Sequence, residues 1–434
     1  MHLLLGQTLS FTADPFGGDP EASVRHEPRG AVAIKEGRIA AVGPAEDILS
    51  AYPEAQRIDH GDALLSPGFI DAHAHYPQTA IIASWGKRLI DWLGHYTFPE
   101  EARFSDPAHA AEIARTYFDL TLAAGTTTTV SFATIHPESV DAYFTEARTR
   151  GLRALAGKTC MDRNAPDNLT DTAQSAYDDS KRLLEAWHGV DRLGYVVTPR
   201  FAPTSSPEQL DALGALWAEH PDCLMQTHLA EQHEEIAWVA ELFPEAEDYT
   251  DVYDRFGLLG SGALMGHSIH LSPRERARLH DAGASLIHCP TSNTFIGSGL
   301  FDMDGLMRAG HRIGLATDTG GGSSFSMLRS MAAAYELAQL RGRALHPAEL
   351  WWLATQGSAR ALHLDDRIGT LAPGFEADII AVDLASTPAI AQRAARAETL
   401  WEALFPTIMM GDDRAIAAVY AAGELVCAGG VSSI

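Results

Sequence analysis

Eight short β-rich runs, each followed by a longer stretch of helical pattern, constrain this chain more than any other feature of it. The runs are Leu64–His75, Gly125–Phe132, Leu152–Cys160, Leu193–Arg200, Cys223–His228, Ala263–His267, Ala284–Cys289 and Arg312–Asp318. Several are almost continuously apolar, as strands are when helices cover both faces. Helical pattern is clear after Asp106 and from Pro207 to Glu219, where Ser205-Ser206 offers an N-cap ahead of a proline in the first turn. Strands alternating with helices predict parallel βα units, and eight such units predict an α/β chain folded as a (β/α)8, TIM-like barrel.

The two ends read differently. Ala31–Ile34 and Ile39–Val42 flank Glu36-Gly37-Arg38 and predict a hairpin that turns at Gly37. Asp378–Asp383 and Ala415–Tyr420 read as strands, with a turn at Gly423-Glu424. The expected organisation is a small β-sandwich domain formed jointly by residues 1–63 and 366–434, and a barrel over 64–365.

Charge narrows the partners. Lys plus Arg total 32 against 57 Asp plus Glu, a formal net charge of −25. Binding a polyanion needs a surplus of cations to neutralise phosphates. Nucleic acids and anionic membrane surfaces are therefore excluded as expected partners, and a small neutral or weakly charged molecule is favoured. No stretch approaches the ~18 consecutive apolar residues of a membrane span. The start, MHLLLGQTLSFTADP, lacks the basic region of a secretory signal. Cys160, Cys223, Cys289 and Cys427 stand far apart with no CxxC among them, so no disulfide framework is expected and a reducing cytoplasm is the default setting.

Four strand ends carry the chemistry. The first run closes on His73-Ala74-His75; residues at i and i+2 of a strand share a face, so both imidazoles can reach one metal. The fifth run closes on Thr227-His228-Leu229-Ala230-Glu231, giving a third imidazole and a nearby carboxylate suited to carrying a proton. The sixth run ends at His267; His270, three residues on, reads as a loop histidine. The eighth ends at Asp318, followed by Gly320-Gly321-Gly322. Those glycines lack the Lys-Ser/Thr of a phosphate-binding loop and read as a tight turn approaching substrate. Active sites of such barrels sit at this C-terminal mouth. Three nitrogen donors, a carboxylate and an open position describe a catalytic zinc site, which brings the pKa of its water to about 7.

This constellation resembles the amidohydrolase superfamily, including its flanking β-domain built from both termini. Many of those proteins hold two metals through a lysine on the fourth strand. The fourth run here has no lysine, and Lys158 at the end of the third is not expected to bind metal, so the mononuclear zinc deaminase branch is the better match. Four further stretches sharpen the resemblance toward the guanine deaminases: His75-Tyr76-Pro77-Gln78, Asp91–Glu100, Thr198–Ser205 and His288–Asn293 with Gly299–Phe301.

The resemblance implies one Zn2+ per chain held by His73, His75 and His228, with Asp318 as fourth ligand or partner of the water. It implies Glu231, His267 and Asp318 as catalytic residues, and Gln78, Arg200, Phe201, His228 and Glu231 around a purine base. Arg200 offers planar donors to a carbonyl, Gln78 a donor and an acceptor to a purine edge, and Phe201 a face for stacking. The expected activity is hydrolytic deamination of guanine to xanthine and ammonia, by a cytoplasmic homodimer. The alternatives are deamination of another guanidine-like ring (8-oxoguanine, a pterin or a triazine), cyclic-amide hydrolysis, or non-catalytic binding on an inherited barrel. The stretches from Gln78 to Phe104 and from Thr294 to Asp304 are the candidate loops to close over substrate.

Overall fold

Eight parallel strands run in chain order around a barrel: Phe69–His75, Thr126–Phe132, Arg153–Gly157, Leu193–Pro199, Leu224–Leu229, Ala263–His267, Ser285–His288 and Arg312–Leu315. The computed structural model describes residues 1–86, 88–429 and 431–432. Residue 87, within the first candidate loop, and 430, 433 and 434, within the terminal segment, lie outside the described residues. Helices cover the strands where the pattern placed them. Pro107–Ala123 starts on Asp106, whose side chain accepts from Ala108 N, and Pro207–Glu219 starts on Ser206, whose hydroxyl accepts from Gln209 N. Both place proline in the first turn, where its missing N–H costs nothing.

The lumen is apolar at its base. Ile70, Ala72, Val130, Leu155, Val196, Leu264, Ile287 and Ala316 meet there, sealed by Ala359, Ala361, Leu362 and Ile368. Strict alternation would turn His73 away from this lumen. A bulge corrects the parity: Asp71 to Ala74 spans the same length as Thr129 to Ser131 on the neighbouring strand, one residue more. After it Ala74 packs with the outer core, and His73 and His75 face the mouth.

The first and last strands meet across a seam. Asp318 N donates to His73 O at 2.9 Å, His75 N to Thr319 O at 2.5 Å, and Thr317 N to Asp71 Oδ1 at 2.9 Å. The barrel therefore closes through the residues that carry the first histidine pair and the late aspartate.

Both termini build the second sheet, in the order Val431–Ser432, Glu424–Ala428, Ile416–Ala421, Ile379–Val382, Gln56–Pro67, His2–Phe11, Val24–Lys35, Arg38–Pro44. The first hairpin turns at Glu36-Gly37, both with positive φ. The last turns at Ala422-Gly423, one residue before the expected position, and Glu424 already pairs with Ala421. The sheet curls until these two turns meet: His2 Nε2 lies 2.7 Å from Gly423 O, and Ala377 N donates to Gly37 O at 2.9 Å.

Two features depart from the sequence reading. Leu64–Pro67 belongs to this terminal sheet, pairing with Ile379–Val382, and the chain changes sheets at Gly68. A Cβ on Gly68 would lie 2.1 Å from Thr127 Oγ1, so only glycine fits the crossing. The segment between the C-terminal strands is helical, as Pro388–Ala394 and Leu400–Met410, with Phe405 packed edge-on against Tyr335 of the barrel helix Met327–Leu340.

A buried ion network ties barrel to sheet. Glu376 pairs with Arg153 and, at 2.9 Å, with Arg192, which also holds Asp378 at 2.7 Å. Burial alone would raise the Glu376 carboxyl, but the two guanidiniums outweigh it and hold it below its ordinary value. Its contribution is complete above the ordinary carboxylate range and is lost as pH falls through the lowered folded value. Glu376→Ala is expected to cost about 3–5 kcal/mol by leaving buried cations short of a partner. The check is a urea midpoint at pH 7 below that of the native chain, with the gap narrowing in acid.

Candidate active site

Three imidazole nitrogens converge at the mouth. Each of His73, His75 and His228 offers one nitrogen within 4.8 Å of the other two. His75 Nε2 and His228 Nε2 are 3.1 Å apart, and the Nε2 atoms of His73 and His75 each lie 3.5 Å from Asp318 Oδ1. The protonation pattern follows from the partners. His228 Nδ1 is 2.6 Å from Arg200 O, and a carbonyl only accepts, so Nδ1 carries the hydrogen and Nε2 the lone pair. His73 Nε2 is buried without a hydrogen-bond partner among the described residues. Burial holds His73 below, and His75 and His228 well below, the ordinary imidazole value, which favours the neutral form. Lone pairs crowded together in a dry site are repulsive unless a cation lies between them. The donor set fits a metal ion, with the backbone carbonyl of Arg200 fixing the His228 ring.

The late residues stand opposite. His267 Nε2 lies 3.6 Å from Glu231 Oε2 and 3.7 Å from Asp318 Oδ2, and His267 Nδ1 is 3.0 Å from Asn293 Oδ1. Burial alone would lower His267, but the carboxylates of Glu231 and Asp318 raise it above its ordinary value. Burial raises the Glu231 carboxyl, toward the range of a proton carrier at neutral pH. Ser298 donates to Glu231 Oε1 at 2.7 Å, so the loop after the seventh strand steadies this side chain. Cys289 also brings its sulfur into the group of His73, His267 and Asp318, and burial pushes its thiol well up, leaving it protonated.

Above the donors opens a cavity lined by His75, Gln78, Arg200, Phe201, Glu231 and Asp318, among others. Leu89, Trp92 and Leu93 from the first loop and Ile296 from the seventh form its apolar wall, so both candidate loops reach it. Phe201 packs with Trp92 and Leu93. Phe132 stacks on His75, ring centroids 4.5 Å apart. The glycine turn approaches as expected: Gly320 N donates to Gln78 Oε1 at 3.3 Å and Gly321 lines the cavity.

All nine expected site residues thus meet in one place. Lys158 does not join them; it is buried against Asp171. His270 lies outside as well, 2.8 Å from Ser298 O. Sequence reasoning passed over Glu101, Asn293, Ser298 and Cys289. Asn293 and Cys289 sit inside the quoted stretch His288–Asn293, but their roles depend on what lies across the barrel.

A family model described as "Amidohydrolase family" matches residues 64–426, and one described as "Imidazolonepropionase-like composite domain, bacteria" matches residues 30–55. The chain belongs to the amidohydrolase family. It is 42% identical to the guanine deaminase of Escherichia coli (strain K12), over 92% of this chain and 91% of that protein. A solved structure of E. coli guanine deaminase superposes with a TM-score of 0.97 at 40% identity, covering 99% of this chain and 100% of the other. A crystal structure of guanine deaminase from C. acetobutylicum with bound guanine in the active site gives a TM-score of 0.88 at 28% identity, covering 98% and 99%.

One backbone position makes this amidohydrolase site possible. A Cβ on Gly266 would lie 2.8 Å from His73 Cε1 and 3.1 Å from Nδ1. Gly266→Ala is expected to displace the His73 ring and weaken metal retention by roughly 10- to 100-fold, as loss of support around a ligand does. The check is metal content by elemental analysis after dialysis against a weak chelator, with retention equal to the native chain counting against it.

Proposed function

We propose that this chain hydrolyses guanine to xanthine and ammonia, using one zinc ion per chain. The observation that carries the reading is one cavity lined both by members of a metal donor set and by Arg200 and Gln78. The kinship with guanine deaminases supports the same substrate. His73, His75, His228 and Asp318 would hold the metal, which when bound supplies a Lewis acid and an activated water.

The chain's own residues supply the rest. Arg200 donates to the C6 carbonyl oxygen of the ring. Gln78 pairs with the purine edge, and Phe201 flanks the ring while its packed neighbours exclude water. Water adds at C2, and Glu231 carries its proton to ring nitrogen N3. His267, raised above its ordinary value by two nearby carboxylates, donates a hydrogen bond to the added oxygen. The proton of the added hydroxyl then passes to the amine through Asp318 or Glu231, the C2–N bond breaks as the C2 carbonyl forms, and ammonia leaves. Adenine is rejected because its 6-amino group would leave the donors of Arg200 unpaired, a mismatch worth up to roughly 10^4 in discrimination. A homodimer in the cytoplasm completes the proposal, by resemblance to the guanine deaminases.

Zinc-loaded protein is expected to release ammonia from guanine with kcat/KM of about 10^5 M⁻¹s⁻¹ or above, in the ordinary enzyme range. Ammonia from a different ring but not from guanine would keep the metal chemistry and overturn the assignments of Arg200 and Gln78. Glu231→Gln is expected to keep its zinc and lose roughly 10^2-fold or more in kcat, the usual worth of a positioned proton carrier. Near-native turnover in that variant sinks the proton-shuttle role.

A further inference from the structure

We infer that Glu101 is a positioning residue, which sets the edge that Gln78 and Arg200 present to the substrate. The inference rests on the guanine reading above. Glu101 ends the short helix Phe98–Glu101 and is 1% exposed. Its carboxylate divides between two residues of the cavity wall. Oε1 accepts from Gln78 Nε2 at 2.9 Å, and Oε2 accepts from Arg200 Nη1 at 2.7 Å. The preceding Glu100 takes a different job, pairing with His109 and Arg103. Adjacent acids thus separate, one to pair with the following segments and one to face the site.

The chemistry of these bonds fixes an orientation. Gly320 N–H can only donate, and it meets Gln78 Oε1. A carboxylate can only accept, and it meets Gln78 Nε2. The amide is therefore locked from both ends, with one N–H and one lone pair left over. Arg200 is held in the same way. Its edge is tied to Glu101, and its guanidinium lies 5.6 Å above the Phe98 ring centroid. Glu101 is the one carboxylate in ion-pair distance of Arg200 among the described residues. Without it the guanidinium would be a buried cation with no counter-charge, free to turn from the ring oxygen. A neutral amide in its place could offer N–H as readily as oxygen, and Gln78 could flip.

Contacts to the far edge of the ring are alike in the ground and transition states, so their loss shows in KM. Glu101→Gln is expected to raise KM for guanine by roughly 10- to 100-fold, the range for hydrogen bonds to charged groups, with kcat within about threefold. Zinc content stays at the native level. A double-mutant cycle with Arg200→Ala separates positioning from bulk structure. If Glu101 acts through Arg200, Glu101→Gln costs less once Arg200 is gone, only the share carried by Gln78 remaining.

Additive losses in that cycle overturn the proposal, as does a fall in kcat at unchanged KM or a loss of zinc in Glu101→Gln. Native KM in Glu101→Gln, with guanine turned over by the native chain, overturns the positioning role and leaves the substrate reading standing. No ammonia from guanine with the native chain overturns the substrate reading and the positioning role together.

Discussion

Three imidazoles and a carboxylate crowd one buried volume at the barrel mouth, and side chains alone do not satisfy them there. Removing polar groups from water is costly unless each finds a partner. His228 finds one on its far nitrogen, at Arg200 O, and His267 finds Asn293. The inward nitrogens of His73, His75 and His228 face one another instead. Much of the surrounding architecture reads as the means of holding that arrangement. The bulge in the first strand sets the parity of His73 and His75. Gly266 leaves room for one ring, Phe132 stacks on another, and the Asp71–Thr317 bond fixes the strand beneath.

The site divides its labour between strands and loops. The clustered imidazoles sit on strand ends, where backbone pairing on both sides limits movement. Much of the rest of the cavity lining comes from longer connections. Gln78 follows the first strand, Arg200 and Phe201 follow the fourth, and Trp92 and Ile296 sit on the two long loops. A rigid scaffold carrying variable loops is how one barrel supports many chemistries. Glu101 and Ser298 belong to the same loops, and each steadies a residue contributed by a different part of the chain.

How much could be read from the sequence follows from the range of the interactions. The eight strands were legible because each is a local apolar run bounded by turn chemistry, and the helix starts at Asp106 and Ser206 announce themselves within three residues. The clustering of His73, His75 and His228 was legible because they lie at strand ends, the first two at a spacing that puts them on a shared face. The sheet change at Gly68 was not, because Leu64–His75 reads as one β-rich run and both sheets bury it. The helices at 388–410 were hidden by a neighbouring strand pattern. Glu101 stands 23 residues from Gln78 and 99 from Arg200, and no local pattern marks an acid whose partners are that distant.

The seam has a consequence for thermodynamics. The backbone bonds that close the last gap in the ring of strands come from His73, His75, Asp318 and Thr319. Three of those four residues also present donor atoms at the mouth. Ring closure and metal affinity are therefore linked quantities, coupled in both directions. A substitution far from the mouth that loosens the contact between the first and last strands acts as an affinity mutation. Any cation held there acts as a clasp on the whole cylinder, and its binding free energy becomes part of the stability of the fold.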